Sequence, residues 1–277
     1  MTLKALSNSR FSLFKKLCLS TLITISCVPS SIAQEINLAN GADNAPLELF
    51  ADNGIEWQQN NQLIIAEGNA VAKRADVTLN ADELRAYYHD AQSNDLNSNV
   101  YCLEALGHVE IKSPSETASG DKAVYDLERA ILVLSGTRPQ LKTITDTISA
   151  DDTLEYWENK SQAVARGNAI AVRDGRQIKA DILAALLRKD SAGKSEIYRV
   201  NAFGNVIIDT ANEHITADRG VYNVSTSIAT LSGSVKIKRG NNLLNGCSAT
   251  VNLKTNISKL QACAGTNDNR VRGLVLP

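Results

Sequence analysis

Aromatic side chains are scarce in this chain: Phe, Trp and Tyr together make 5% of 277 residues, and there are five prolines and one methionine. Such a composition excludes a Pro-rich or low-complexity disordered chain. Neither sign of charge dominates, with 29 Lys plus Arg against 30 Asp plus Glu. The basic footprint of a nucleic-acid binder is therefore missing. Also missing are CxxC, HExxH, GxSxG and any phosphate-cradling Gly loop. His89, His108 and His214 have no partner at metal-ligand spacing. No catalytic residue, metal ligand or cofactor is expected.

What is present begins with a leader. Lys4, Arg10, Lys15 and Lys16 form a basic segment without an acidic residue, and Leu17 to Val28 is apolar but too short to span a bilayer. Ser31-Ile32-Ala33 then places small residues where a signal peptidase requires them, so residues 1–33 read as a signal peptide cleaved before Gln34. An uncleaved anchor is the first alternative. A lipoprotein acylated at Cys27 is the second, though Thr24-Ile25-Ser26 is a poor lipobox. Removing four basic groups leaves 25 against 30, so the exported chain carries about −5. Residues 34–44 are expected to be a flexible mature N-terminus and 45–277 a single domain.

Cys102, Cys247 and Cys263 remain after cleavage, and an oxidising compartment permits a disulfide. Gly246 to Leu253 alternates, Lys254-Thr255-Asn256 is a turn, and Ile257 to Cys263 returns. With Leu253 facing Ile257, such a hairpin sets Cys247 opposite Cys263 within bridging range. The alternative is two free thiols on a half-buried sheet. Cys102 is expected to be a buried free thiol.

The body of the chain is a degenerate repeat. A phrase ending in Asp recurs at Asp52, Asp82, Asp121, Asp151, Asp181 and Asp218. Each Asp is followed by a glycine that opens a short alternating run: Gly68, Gly107, Gly136, Gly167, Gly204 and Gly233. Successive Asp spacings are 30, 39, 30, 30 and 37 residues, the signature of a repeat architecture. Midpoints between Asp and Gly fall in Gln59-Asn60-Asn61, in Ser93-Asn94-Asp95, at Asn159 beside Lys160, and in Asp190 to Gly193, all turn sequences. Val77 to Ala81 and Ile215 to Asp218 alternate with period two, as half-buried antiparallel strands do. Ala180 to Lys189 looks helical locally but sits where the repeat demands a strand.

The expected fold is therefore all-β: a single elongated, open-ended, two-sheet roll of repeated antiparallel hairpins, bent at its glycines. A calcium-binding roll would need dense Gly-Gly-x-Gly-x-Asp nonapeptides, which are absent. The recurrent Asp residues are expected to hydrogen-bond the backbone at the strand corners. Trp57, Trp157 and Tyr222 read as core or rim packing.

These motifs carry a resemblance. Gly68-Asn69-Ala70-Val71-Ala72-Lys73 with Leu79-Asn80-Ala81-Asp82, echoed at 204–208 and 214–222, resembles the OstA-like family of periplasmic lipopolysaccharide-transport proteins. The likeness covers nearly all of the mature chain. It implies a twisted, open-ended β-jellyroll in the Gram-negative periplasm, with no hydrolysis or other chemistry. Lipid A acyl chains of lipopolysaccharide would lie in the apolar interior, and the ligand would pass from an inner-membrane complex to the outer-membrane translocon. Partners implied are an LptC-like and an LptD-like β-jellyroll, met through edge strands near Leu47 to Phe50 and at the C-terminal end. The same edges would let copies assemble head to tail. The resemblance nominates Leu47 and Leu49 as groove residues, and alternation adds Ile64, Ala66, Val77, Leu79, Leu84 and Ala86.

The chain departs from the family in its greater length and in Thr137-Arg138-Pro139, which breaks the third alternating run. Two rivals stay open: an LptC-like component that keeps its N-terminal helix as an anchor, and a structural or adhesive β-solenoid with a dry core.

Overall fold

A computed structural model describes residues 46–89, 100–189, 195–263 and 270–275. The leader, the segment 34–44 and the turns expected at 93–95 and 190–193 lie outside the described residues. Within them the chain is strand throughout, with helix limited to single 3-10 turns at Gln59–Asn61 and Glu158–Lys160, where two of the repeat midpoints fall.

The strands are β1 (Glu48–Phe50), β2 (Gly54–Gln58), β3 (Leu63–Arg74), β4 (Val77–Tyr88), β5 (Val100–Lys112), β6 (Glu116–Asp126), β7 (Ile131–Ser135), β8 (Gln140–Thr143) and β9 (Asp146–Ser149). They continue as β10 (Thr153–Trp157), β11 (Gln162–Arg173), β12 (Arg176–Lys189), β13 (Ser195–Asp209), β14 (His214–Asn223), β15 (Ile228–Arg239), β16 (Asn242–Asn252), β17 (Ile257–Gln261) and β18 (Arg272–Leu274). All are antiparallel neighbours in one continuous ladder. The helical-looking segment Ala180 to Lys189 lies inside β12. Its apolar residues serve a strand between two partners, β11 and β13, with Ala180 and Leu183 in the core.

Corners give the ladder its depth. At Gly107–His108 and Gly204–Asn205 two consecutive residues take positive φ, and the register with the next strand slips there. Gly68, Gly167 and Gly233 mark the same bend in β3, β11 and β15. Residues on both arms of a bent strand, such as Ala66 and Ala72 of β3, join the same buried cluster, so the arms form two facing walls. Asp82 packs against Gly107, Asp121 against Gly136, Asp181 against Gly204 and Asp218 against Gly233. The phrase repeated in the sequence is thus a physical contact.

Two details differ from expectation. Asn53, rather than Asp52, sits against Gly68, and Asp152, rather than Asp151, against Gly167; Asp151 instead accepts a 2.8 Å bond from the Asn168 amide. Corner carboxylates also take their bonds mainly from the side chain after the glycine, as Asp52 does from Asn69 (2.7 Å) and Asp181 from Asn205 (3.0 Å). Only at Asp121, among the described corners, is the donor a backbone N–H, that of Thr137.

The hairpin β16–β17 pairs Asn252 with Ile257, one residue away from the expected register. The cause is local: Asn252 Oδ1 accepts from the N–H groups of Lys254 and Thr255 (both 3.0 Å), and Asn256 takes φ 56°, so the turn holds four residues. β17 stops at Gln261, and the Cys247–Cys263 disulfide forms just beyond the ladder, with Cα atoms 5.0 Å apart. Cys102 is free among the described cysteines, and half-buried rather than buried.

A larger period overlies the small one. β2, β3 and β4 begin at residues 54, 63 and 77, and β10, β11 and β12 begin 99 residues later, at 153, 162 and 176. The later corners, 107 and 136, recur 97 residues on at 204 and 233. In the first half Thr137-Arg138-Pro139 splits the sixth line of the ladder into β7 and β8, because a buried proline has no N–H to donate. In the second half β15 runs through unbroken. Two core clusters correspond to the two halves, and Leu154 packs against both.

Candidate functional site

Period-two alternation in every strand, carried across the ladder register, builds rows of inward side chains. One wall carries Leu49, Ala72, Leu79, Ile111, Ala118, Leu141 and Ile148, each the register partner of the next. The row continues through Ala171, Ile178, Ile208, Ile215, Ile237 and Leu244. These thirteen positions are aliphatic without exception. The opposite wall answers with Leu and small residues, from Ala66 and Leu84 through Leu134, Leu154 and Leu183 to Leu231 and Ala249.

Each nominated groove residue falls in this interior. Ala66, Val77, Leu79, Leu84 and Ala86 belong to the first core cluster, and Leu47, Leu49 and Ile64 pack against it while half-buried. Inside each cluster the row is closed to water, with Ile111 and Ile215 at 0% exposure. Between the clusters it opens: Leu141, Ile148, Ala171 and Ile178 are all half-buried. The second-half residues were not nominated from the sequence. The signal for them was the repeat itself, which carries Leu79 onto Ile178 at the 99-residue offset.

The walls meet water along a seam where their hairpin tips face each other. There Glu213, the buried charged residue among those described, pairs with Arg239. Arg239 also donates to the Asn256 carbonyl (2.9 Å), and the Ser258 hydroxyl donates to Glu213 (3.3 Å). Asp146 and Arg173 form a similar pair. The Asp146 hydrogen bond, outweighing desolvation, holds the Arg173 guanidinium above its ordinary range.

Among the described residues both ends of the ladder are edges: β1 and β2 pair only with β3, and β17 and β18 only with β16. Seven of the ten large hydrophobic residues exposed among those described sit on or beside these edges: Phe50, Ile55, Trp57, Ile257, Val271, Leu274 and Val275. An edge strand with exposed apolar groups is a template for pairing with another chain. Trp57 is fixed by a 2.7 Å bond from its indole N–H to the Tyr88 hydroxyl.

Other polar groups do not converge. His108 stands at a corner, hydrogen-bonded to Asp82 at 2.8 Å and held above its usual pKa by that bond. Burial, then Glu104 and Asp126, push the Cys102 thiol up. No group of three His, Cys, Asp or Glu among the described residues is placed to hold a metal, and no helix there is long and apolar enough to cross a membrane.

Comparison with known proteins bears on this architecture. An uncharacterised protein of Rhizobium meliloti (strain 1021) is 24% identical over 119 residues, 41% of this chain and 64% of its own, so the chain spans under two thirds of that relative. The crystal structure of LptH, the LptA-homologous periplasmic component of the lipopolysaccharide transport device of Pseudomonas aeruginosa, aligns with TM-score 0.41 and 14% identity over 48% of this chain and 95% of that one. The profile of the family described as LptA/(LptD N-terminal domain) LPS transport protein matches twice, over residues 50–152 and 147–257. Those two matches together take in most of the 277 residues, and the chain belongs to this family of lipopolysaccharide-transport proteins.

Proposed function

We propose that the chain holds lipopolysaccharide by its acyl chains against the apolar inner walls and passes it along the roll between the two membranes. The observation that carries this reading is the unbroken row of thirteen aliphatic register partners from Leu49 on edge strand β1 to Leu244 on β16, one strand short of the far edge. Each methylene removed from water contributes about 0.8 kcal/mol, so acyl chains need such a lining throughout their path. The phosphorylated sugar can stay in water at the seam, which requires no net positive charge.

Leu47, Leu49, Ile64, Ala66, Val77, Leu79, Leu84 and Ala86 would touch the lipid in the first half. Because that interior is packed, the walls must part to admit it; the alanines of the row and the short seam contacts make parting less costly than it would be in a core of large side chains. Entry and exit would be at the edges, where β1–β2 and β17–β18 pair by strand addition with an LptC-like roll of the inner membrane, an LptD-like roll of the outer membrane, or another copy of this chain. Residues 1–33 would direct export and be removed between Ala33 and Gln34.

A ligand-free structural roll is the second reading, and the closed clusters favour it. A photo-crosslinking residue at Leu49, half-buried beside the edge, separates the two when the protein is expressed in a Gram-negative host. Adducts with lipopolysaccharide at Leu49 and Leu79, with none at the exposed Glu48, support transport. No adduct at either inward position leaves the structural roll.

A further inference from the structure

The family profile fits the chain twice, and the duplication reaches the interior. The first core cluster and the second draw on separate sets of buried residues, with Leu154 alone common to their margins. Their separation coincides with the boundary of the two profile matches near residue 150. On either side the inner row is dry from Ala72 to Ala118 and from Ile208 to Ile237, whereas at the boundary Leu141, Ile148, Ala171 and Ile178 are half-open to water. The Asp146–Arg173 ion pair stands at the seam beside that opening. A methylene that remains hydrated contributes little to binding, so acyl chains gain most by settling wholly within one dry cluster or the other.

Resting on the transport reading above, we infer that each chain has two separate compartments for a multiply acylated, phosphorylated glycolipid, one per duplicated unit. The first is lined by residues such as Leu79, Leu84 and Ile111, and the second by Leu183, Ile208 and Ile215. The half-open boundary is a crossing between two resting positions. One chain thereby provides two successive stations on the route.

The test is a count. Full-length mature protein is loaded with bis-phosphorylated, multiply acylated lipid A from detergent and examined by native mass spectrometry. Two lipids per chain are expected. Ile64→Asp and Ile178→Asp each place a carboxylate at a half-buried position beside one cluster, so its charge can reach water. Each is expected to lower the count from two to one, and the double variant to none. A count of one for the unsubstituted protein overturns the inference, as does either single variant abolishing all binding while its circular-dichroism melt is unchanged. If a variant fails to fold, the unsubstituted count decides alone. No lipid on the unsubstituted protein, together with no adduct at Leu49 or Leu79, removes the transport reading itself.

Discussion

Glu213 and Ser258 stand on opposite walls, 45 positions apart in sequence, and the Ser258 hydroxyl donates to the Glu213 carboxylate at 3.3 Å across the seam. Arg239 completes the contact, ion-paired to Glu213 and bonded to the Asn256 carbonyl of the facing turn. The pair is asymmetric, because the Glu213 side chain is 2% exposed and that of Arg239 is 50% exposed. Arg239→Ala leaves a carboxylate buried without its cation, which costs about 3 kcal/mol, at the low end for such pairs because water reaches this one. Glu213→Gln leaves an arginine free to turn into solvent, at a cost of about 1 kcal/mol. Urea unfolding should rank the variants in that order with the slope unchanged. Equal losses would mean that the seam contact does not depend on the buried charge.

Gly107 takes φ +74°, and the Asp82 carboxylate fills the space in which its Cβ would lie. Gly107→Ala should therefore cost about 2 kcal/mol or more, from the left-handed backbone and from displacement of Asp82 together. Asp82→Ala removes the second contribution, so the double variant should be less destabilised than the two single losses added together. A double-mutant cycle on denaturation midpoints measures this coupling. Simple additivity would mean that Asp82 moves aside without cost.

The corner is also where the sequence was most legible. At β5, β13 and β15 Asp and Gly recur together because they touch, and at β3 and β11 the residue after the recurring Asp, Asn53 or Asp152, makes the contact, so reading their spacing located all five bends, and the expected turns at 59–61 and 158–160 followed. Where two acids adjoin, at Asp151-Asp152, spacing could not say which side chain folds onto Gly167. The β16–β17 register slipped by one for a similar reason: Asn252 captures two N–H groups and lengthens the turn, a choice that alternation leaves open. The pairing of Cys247 with Cys263 survives that slip because both lie just past the last β16–β17 pair, Ser248 with Gln261. Glu213 was not foreseen, since its partners lie 26 and 45 residues away and only the closing of the walls unites them. Alternation put Leu79 and Leu84 inside, but the distance between walls is a property of the assembled roll and of no single strand.

Corner acids and His108 give the fold a pH signature. The Thr137 N–H holds the Asp121 carboxylate below its usual range, and the Asn168 amide does so for Asp151. Their contribution is present above the ordinary carboxylate value and disappears as pH falls through the lowered one. For His108 the sign reverses. Asp82 raises its pKa, so its contribution is complete below the ordinary imidazole value of about 6.5 and disappears as pH rises through the raised one. His108→Asn, which installs the residue found at the equivalent corners Asn168 and Asn205, should abolish the His108 part of any alkaline decline and leave the acid limb intact. Denaturation midpoints between pH 3 and 8.5 for the two proteins check this. Parallel alkaline limbs would show that the Asp82–His108 bond does not couple to folding.

The Cys247–Cys263 bond joins β16 to the chain just past β17, the strand that bears Ser258 and the exposed Ile257. Among the described residues β17 pairs on one side only, over five register positions. Without the bond it would be held by those pairs, the Ser258 contact, the Ser248–Gln261 hydrogen bond and the packing of Leu260 on the second cluster. A bridge across a loop of this size contributes about 3 kcal/mol when the whole chain unfolds as a unit. Here local opening is the less costly route, because releasing an edge strand breaks pairs on one side and withdraws Leu260 from the margin of the second cluster, leaving the rest of the roll in place. Cys247→Ser should therefore speed amide exchange across 257–261 and 272–274, while exchange in β11–β13 stays as it was and the global midpoint falls by less than the whole-chain figure. Uniform acceleration throughout the roll would mean that the bond stabilises the fold as a whole. Confinement to the last strands would mean that oxidation fixes the shape of the edge offered to a neighbour.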